Sequence, residues 1–347
     1  MNSKKVRCAV IGLGWVGTHR HVLNLRRHPQ VELVGLIDRK EGCAEQLAQR
    51  LGVPHWATCR DGQASWMQDV DAVVIATDTR SHHPLAMMLL NRGKHVLLEK
   101  PMAMNVEQGR EILALSQRVN RVLAVVHNFQ FARSLKALQR ILEQGALGDV
   151  RAMLVTQLSN PSRRLPTWYD EIPLGLFYDE SPHLLYLIRR FAPLEPQLLN
   201  AQIVSSPSGK QTPLVVNAQF QSGPVPIHVY MNFEAPVSEW HVMVVGSKRV
   251  AVADLFRDIL VVVRNDGSHR ARDILRTTRD AFSTHMLGFI KSGVLLAMGG
   301  LRYGNDEVIV RFIQAVQEQK PPQGISGSDG LWVLEMQHRI IAMARRV

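Results

Sequence analysis

Three groups of residues have types and spacings that could carry out a reaction. Lys100 lies in Glu99-Lys100-Pro101, directly after the apolar run 95–98. A lysine at the carboxyl end of a parallel strand points into the crevice where such sheets bind ligands, although a strand-end lysine can also be an ordinary surface residue. Pro101 restricts the local backbone and admits a cis bond. The second group is Asp179-Glu180-Ser181-Pro182-His183. If a helix starts at Glu180 or Ser181, Pro182 falls in its first turn, His183 lies on that turn and Asp179 stands just before it. A carboxylate beside an imidazole orients it and raises its pKa, as a general acid or base requires. The plainer reading is an acidic N-cap.

The third group is Gly12-Leu13-Gly14-Trp15-Val16-Gly17, with Asp38 at the end of a second apolar run. Gly12 allows a tight turn, Gly14 lets the backbone approach a pyrophosphate, and Gly17 lets helix and strand pack closely. The free N–H groups of the following helix would face the phosphates. Asp38 would accept from the hydroxyls of the adenine ribose and repel a 2′-phosphate, which favours NAD. Arg39 follows at once and could hold that phosphate, so NADP stays open.

These groups need elements to position them. In the first 125 residues, short apolar runs at 6–11, 31–37, 53–56, 72–76, 95–98 and 122–126 alternate with helical patterns at 18–27, 41–51, 82–91 and 106–119. That order predicts a parallel sheet with helices on both faces and right-handed crossovers. After about residue 126 the pattern changes. A helix at 135–143 leads to alternating strands at 151–158, 214–221, 227–234, 241–245, 249–253 and 259–264, then helices at 306–319 and 329–345. Short turns between adjacent strands predict an antiparallel sheet. The expected fold is α/β: a Rossmann domain over 1–126, then a domain over 127–347 with an open, mostly antiparallel sheet.

The three groups as a set resemble the Gfo/Idh/MocA oxidoreductases, the family of glucose–fructose oxidoreductase and inositol dehydrogenase. The stretch Val70-Asp71-Ala72-Val73-Val74-Ile75-Ala76-Thr77, His82 in the next helix, and Gly145-Ala146-Leu147-Gly148-Asp149-Val150 are similar too. The resemblance implies hydride transfer between a nicotinamide and a secondary alcohol or ketone of a sugar, sugar derivative or cyclitol. It implies Lys100, Asp179 and His183 as catalytic residues. On the cofactor it implies Gly12, Gly14, Trp15, Val16, Gly17, Asp38, Arg39, Thr77, His82, Glu99 and Lys100. It places Asn128, with Lys100, Asp179 and His183, at the substrate, and it implies a homodimer or homotetramer formed through the open sheet face. Three positions depart from the family pattern: Asp78 replaces a common proline, Tyr186 a common aspartate three residues after the histidine, and His127-Asn128-Phe129-Gln130 lacks a common arginine. Two other activities fit the same motifs, an NAD(P)-binding regulator or sensor and an NAD-assisted glycosidase.

Substrate choice is expected in the loop 159–177, where Arg163 and Arg164 could bind a phosphate or carboxylate and Trp168 or Tyr169 could stack on a ring. An anionic sugar or sugar nucleotide would suit it. A second basic stretch, 264–301, reads either as an interfacial element or as a helical insertion that packs on its own domain or a partner.

Composition sets the outer bounds. The chain has 347 residues, 46% hydrophobic and 20% charged, which excludes a disordered chain. The formal charge of +11 raises the question of an anionic partner. The excess is spread as +6 over residues 1–125 and +5 over the rest, with no basic arm, so nucleic acid is not expected. Cys8, Cys43 and Cys59 match no metal or disulfide pattern, which predicts no metal and a cytoplasmic setting. No run reaches the length of an integral membrane segment.

Overall fold

The structure is a computed structural model that describes residues 4–59, 64–165 and 168–347. The chain divides by contact into two units. One comprises Met1–Asn128 with Asn305–Glu335, the other Phe129–Gly304 with Met336–Val347.

The first unit begins with β1 (Val6–Ile11), α1 (Leu23–Arg27), β2 (Val31–Asp38), α2 (Cys43–Leu51), β3 (His55–Thr58) and β4 (Ala72–Ile75). It continues with α3 (His82–Asn91), β5 (His95–Leu98), α4 (Val106–Arg118) and β6 (Leu123–Val125). The six strands form one sheet in the order β3-β2-β1-β4-β5-β6, every pair parallel. This is the doubly wound dinucleotide-binding order, reversing beside β1 where the crevice for a ligand opens. The central strands are apolar on both sides because helices cover both faces: Ala9, Val10, Val73, Val74, Val96 and Leu97 are all fully buried. The helix expected over 18–27 starts earlier. Residues 15 and 16 are already helical, Gly17–Val22 forms a π-turn, and α1 follows. The Thr18 amide donates to the Gly14 carbonyl at 2.9 Å, so the helix begins directly on the glycine turn.

The second unit contains α5 (Arg133–Glu143), β7 (Val150–Leu158), α6 (Leu176–Phe191), β8 (Gln197–Val204), β9 (Val215–Ser222) and β10 (Val225–Asn232). It then runs through β11 (Glu239–Gly246), β12 (Arg249–Asp254), β13 (Ile259–Arg264) and α7 (Ala271–Ala297). After it come α8 (Asn305–Glu318), α9 (Gly327–Met343) and β14 (Arg345–Arg346). The second sheet has eight strands in the order β13-β12-β11-β7-β10-β9-β8-β14. The pairs β7–β10 and β8–β14 are parallel and the other pairs antiparallel, as a mostly antiparallel sheet requires. Residues alternate between buried and half-exposed along β7, β9 and β10, so one face is covered and the other open. Strand β8 has no counterpart in the sequence pattern. Its first half is largely exposed and carries no alternation to read.

The grouping of residues 305–335 with the first unit differs from a single cut after residue 126. The Val125 amide donates to the Ile325 carbonyl at 2.8 Å. A Cβ on Gly330 would lie 2.4 Å from the Val125 side chain, and one on Gly327 2.6 Å from that of Leu123. Strand β6 would be the bare edge of the parallel sheet, and the returning segment covers it.

Helix α6 also starts earlier than the sequence implied, at Leu176, not at Glu180 or Ser181. The Leu176 amide donates to Thr212 Oγ1 at 3.0 Å, which satisfies an N–H the helix cannot bond itself. Pro182 therefore sits in the helix interior. It has no N–H for the Tyr178 carbonyl one turn back. Gln337, fully buried, supplies the missing donor: its Nε2 donates to the Tyr178 carbonyl and to Ser181 Oγ, both at 2.7 Å.

Candidate active site

The dinucleotide half is built on the first unit. Gly12 has φ of 92°, where a side chain is strained, and a Cβ there would lie 2.6 Å from the Ala76 carbonyl oxygen. A Cβ on Gly17 would lie 2.0 Å from the Gly12 carbonyl oxygen, so close packing demands glycine. A Cβ on Gly14 would meet no protein atom within 4 Å. The backbone there faces open space at the start of a helix, as a pyrophosphate cradle must. Asp38 closes the turn: one carboxylate oxygen accepts from the Leu13 amide at 2.7 Å, the other from the Lys40 amide at 2.8 Å. Lone pairs remain on both oxygens for ribose hydroxyls. Arg39 is exposed beside it. Trp15 and Val16 are exposed, with Trp15 stacked on His19 and under the Arg20 guanidinium. The residues present fit a dinucleotide.

A second set of bonds fixes the strand ends. Glu99 is buried, and one of its oxygens meets His21 Nε2 at 2.7 Å. Burial would raise the Glu99 pKa, but the His21 hydrogen bond and the nearby charges of His21 and Lys100 outweigh it and hold the carboxyl below its usual range. The glycine-turn helix and the Lys100 turn are thereby tied together, with Lys100 half-buried on the N-terminal side of a cis Lys100–Pro101 bond. His82 is fully buried between two carbonyls, Pro101 at 2.8 Å and Thr77 at 3.2 Å. Burial lowers its pKa. A neutral ring has one N–H to give, and the shorter contact assigns it to Nδ1, which donates to the Pro101 carbonyl and ties α3 to the loop after β5. Thr77 Oγ1 accepts from Ser81. The unusual Asp78 caps the short helix that follows, accepting from the Arg80 amide at 2.9 Å and pairing with the Arg80 guanidinium. Burial opposes ionisation of Asp78, and Arg80 more than compensates, so its pKa is lowered.

The proton-transfer half is built on α6. Asp179 and His183 are both buried and one helical turn apart, on the same face. His183 Nδ1 lies 2.8 Å from the Tyr186 hydroxyl, whose oxygen also accepts from the Phe129 amide at 3.1 Å. The imidazole is packed among Phe129, Trp240 and Tyr186, with ring centroids 4.9, 5.4 and 5.7 Å away. Tyr186 thus orients the ring from the position where a carboxylate was expected. An Nδ1–H donated to Tyr186 puts the ring's lone pair on Nε2. The buried Trp240 indole N–H has no hydrogen-bond partner among the described residues.

The arginine pair differs from expectation. The Arg163 guanidinium pairs with the buried carboxylate of Glu180, which also accepts from Gln157. Its charge is committed inside the unit, and only Arg164 of the two is exposed. Trp168 and Tyr169 are half-exposed, and Asn128 is buried. Two residues of the loop, 166 and 167, lie outside the described residues. Sequence reasoning missed His21, Trp240 and Gln337. The histidine two turns into a glycine-motif helix was a signal, but the other two had none. Among the described residues no cluster of His, Cys, Asp or Glu could hold a metal ion, and no helix is long and apolar enough to cross a membrane.

The 3-2-1-4-5-6 sheet, the glycine turn and Asp38 define a dinucleotide-binding domain. Residues 6–127 match the family model for Gfo/Idh/MocA, an oxidoreductase family with an NAD-binding Rossmann fold. Myo-inositol 2-dehydrogenase of Thermotoga maritima is 26% identical over 303 residues, 83% of this chain and 88% of that protein. D-glucoside 3-dehydrogenase of Escherichia coli is 31% identical over 151 residues, 43% of this chain and 42% of that protein. Among solved structures, the WlbA dehydrogenase of Bordetella pertussis, in complex with NADH and UDP-GlcNAcA, superposes with a TM-score of 0.78 at 17% identity, covering 99% and 97% of the two chains. KijD10, a 3-ketoreductase of Actinomadura kijaniata bound to NADP and TDP-benzene, superposes at 0.77 and 17% identity, covering 99% of each. Residues 6–127 thus carry the NAD-binding Rossmann fold of the Gfo/Idh/MocA oxidoreductases, and the chain as a whole has the fold of the two solved structures it superposes on.

Proposed function

We propose that this protein is an NAD-dependent dehydrogenase or reductase acting on a ring CH–OH group of a sugar, sugar derivative or cyclitol, with NADP as a second cofactor. The observation that carries the reading is His183, held by Tyr186 in a buried aromatic setting with Asp179 one turn away. The bound nicotinamide supplies the hydride acceptor. The chain supplies the rest. His183 Nε2 takes the hydroxyl proton as the C–H electron pair leaves the same carbon and the C=O bond forms. The Lys100 ammonium stabilises negative charge building on the oxygen, and Asp179 holds a neighbouring hydroxyl. Trp240, whose buried N–H has no partner among the described residues, donates to a substrate oxygen. Asp38 selects the ribose hydroxyls of NAD.

The substrate class extends to anionic sugars and sugar nucleotides, with Arg164, Trp168 and Tyr169 as contacts. Both relatives reported above are named for ring-hydroxyl oxidation. The protein works in the cytoplasm as a homodimer or homotetramer joined through the open face of its eight-stranded sheet.

The test is reduction of NAD and NADP followed by absorbance across sugars, uronic acids, cyclitols and sugar nucleotides. Lys100→Ala and His183→Ala should each lower kcat by about 100-fold or more while cofactor still binds. Turnover unchanged in either variant would overturn the assignment.

A further inference from the structure

Helix α7 is amphipathic in the reverse sense. It runs along β13, the outermost strand of the second sheet. Asp280 pairs there with Arg264 at 2.7 Å, Gly288 abuts Ile259, and Ser292 Oγ donates to the Asp258 carbonyl at 3.2 Å. The inward stripe is thus polar or small, with Asp273 and Ser292 its only fully covered residues. The outward side carries Leu275, Phe282, Phe289 and Leu296, exposed by 71, 65, 61 and 66%. A helix of a globular protein turns its apolar side inward, and an exposed apolar patch of this kind marks an interaction surface.

The charges on the same segment indicate what covers it. Both acids of α7 are committed, Asp273 to Arg276 at 3.3 Å and Asp280 to Arg264. Arg272 and Arg279 are exposed with the apolar side chains. The N-terminal half of α7 also borders a cleft of about 420 Å³, where Lys248 and Arg249 add their charges beside the paired Arg264 and Arg276. A second copy would set these cations against themselves. An anionic lipid surface neutralises them. Helix α7 is not apolar enough along its length to cross a bilayer, so it would lie in the plane of its surface.

We propose that α7 seats the protein on anionic membrane, its apolar side in the headgroup–acyl boundary and its arginines on lipid phosphates. The test is flotation of the full chain with vesicles of phosphatidylcholine, and of phosphatidylcholine containing phosphatidylglycerol, with sedimentation velocity run in parallel. The wild type should float with the anionic vesicles and less with the neutral ones. The double variant Phe282→Glu and Phe289→Glu, exposed positions far in sequence from the catalytic residues, should lose at least about tenfold in partitioning while keeping its circular dichroism. The double variant Arg272→Gln and Arg279→Gln should lose about fivefold per charge. A wild type left at the bottom with anionic vesicles at low salt overturns the proposal. So does binding that the phenylalanine variant retains. A phenylalanine variant that dissociates an oligomer, with no vesicle binding by the wild type, assigns the face to a second copy instead.

Discussion

Tyr186 shows how far single residues could be read. In the sequence it was only a departure, a hydroxyl where relatives commonly have a carboxylate. Its role depends on α6 placing it three residues beyond His183, with the Phe129 amide fixing its oxygen. A phenol holds the imidazole without adding a negative charge beside it, so the structure keeps the orientation and drops the electrostatic support. Tyr186→Phe leaves the Phe129 amide and His183 Nδ1 without their partner. We expect kcat to fall about tenfold or more, with the alkaline or acid limb of the kcat profile displaced and the circular dichroism unchanged. A profile superimposable on that of the wild type would show that Tyr186 does not act through His183. Lys100, Asp179 and His183 stand out as candidates in the sequence because their types and spacings carry chemistry. Trp240 was not, since a lone tryptophan in a strand reads as core until the histidine it packs on is known.

At the scale of elements, the glycine turn separates folding from binding. Gly17→Ala forces a Cβ to within 2.0 Å of the Gly12 carbonyl oxygen. Backbone must move, and a loss of about 1–3 kcal/mol in unfolding free energy is expected by denaturant titration. Gly14→Ala meets nothing within 4 Å. Its stability should change by no more than about 0.5 kcal/mol, while NAD affinity measured by calorimetry falls at least about tenfold because the methyl occupies the approach to the pyrophosphate. Equal damage to stability in both variants would refute this division. Helix α6 carries a related lesson. Proline marks a helix start by local rules, and the sequence was read that way. Gln337, distant in the chain, satisfies the carbonyl that Pro182 cannot, and no local pattern contains it. Gln337→Leu should cost about 1–3 kcal/mol by leaving that carbonyl buried and unbonded, as a lowered Tm would report.

At the scale of the whole molecule, the first sheet carries a built-in acid sensitivity. His95 Nδ1 accepts from the Val122 amide at 2.9 Å, so the folded ring must stay unprotonated there. Burial, and then the Arg121 charge, push its pKa down from the ordinary 6.5 to about 4. Between those values the unfolded chain binds a proton that the folded chain does not. Stability therefore rises with pH across this window and is lost as pH falls from about 6.5 towards 4, at up to about 1.4 kcal/mol per pH unit. Burial of His82 shifts its pKa in the same direction. Urea titrations from pH 7 to 4 should show the decline, and His95→Gln should flatten it. A decline as steep in the variant would place the acid sensitivity elsewhere. A small part of the net charge of +11 gains a location, since the acids of α7 are paired inward and Arg272 and Arg279 stand outward.

The six parallel strands and the glycine turn with Asp38 could be read from the amino-acid sequence, as could the candidate lysine and histidine, because each depends on a local signal. Apolar runs buried on both faces have no competing explanation, and glycines at a strand end are demanded by backbone geometry within a few residues. What only the tertiary structure decided were pairings between distant segments: residues 305–335 covering β6, Gln337 completing α6, Glu180 neutralising Arg163, and α7 turning its apolar side outward. Periodicity gives a helix its two faces, but which face is buried is fixed by the neighbours it packs against.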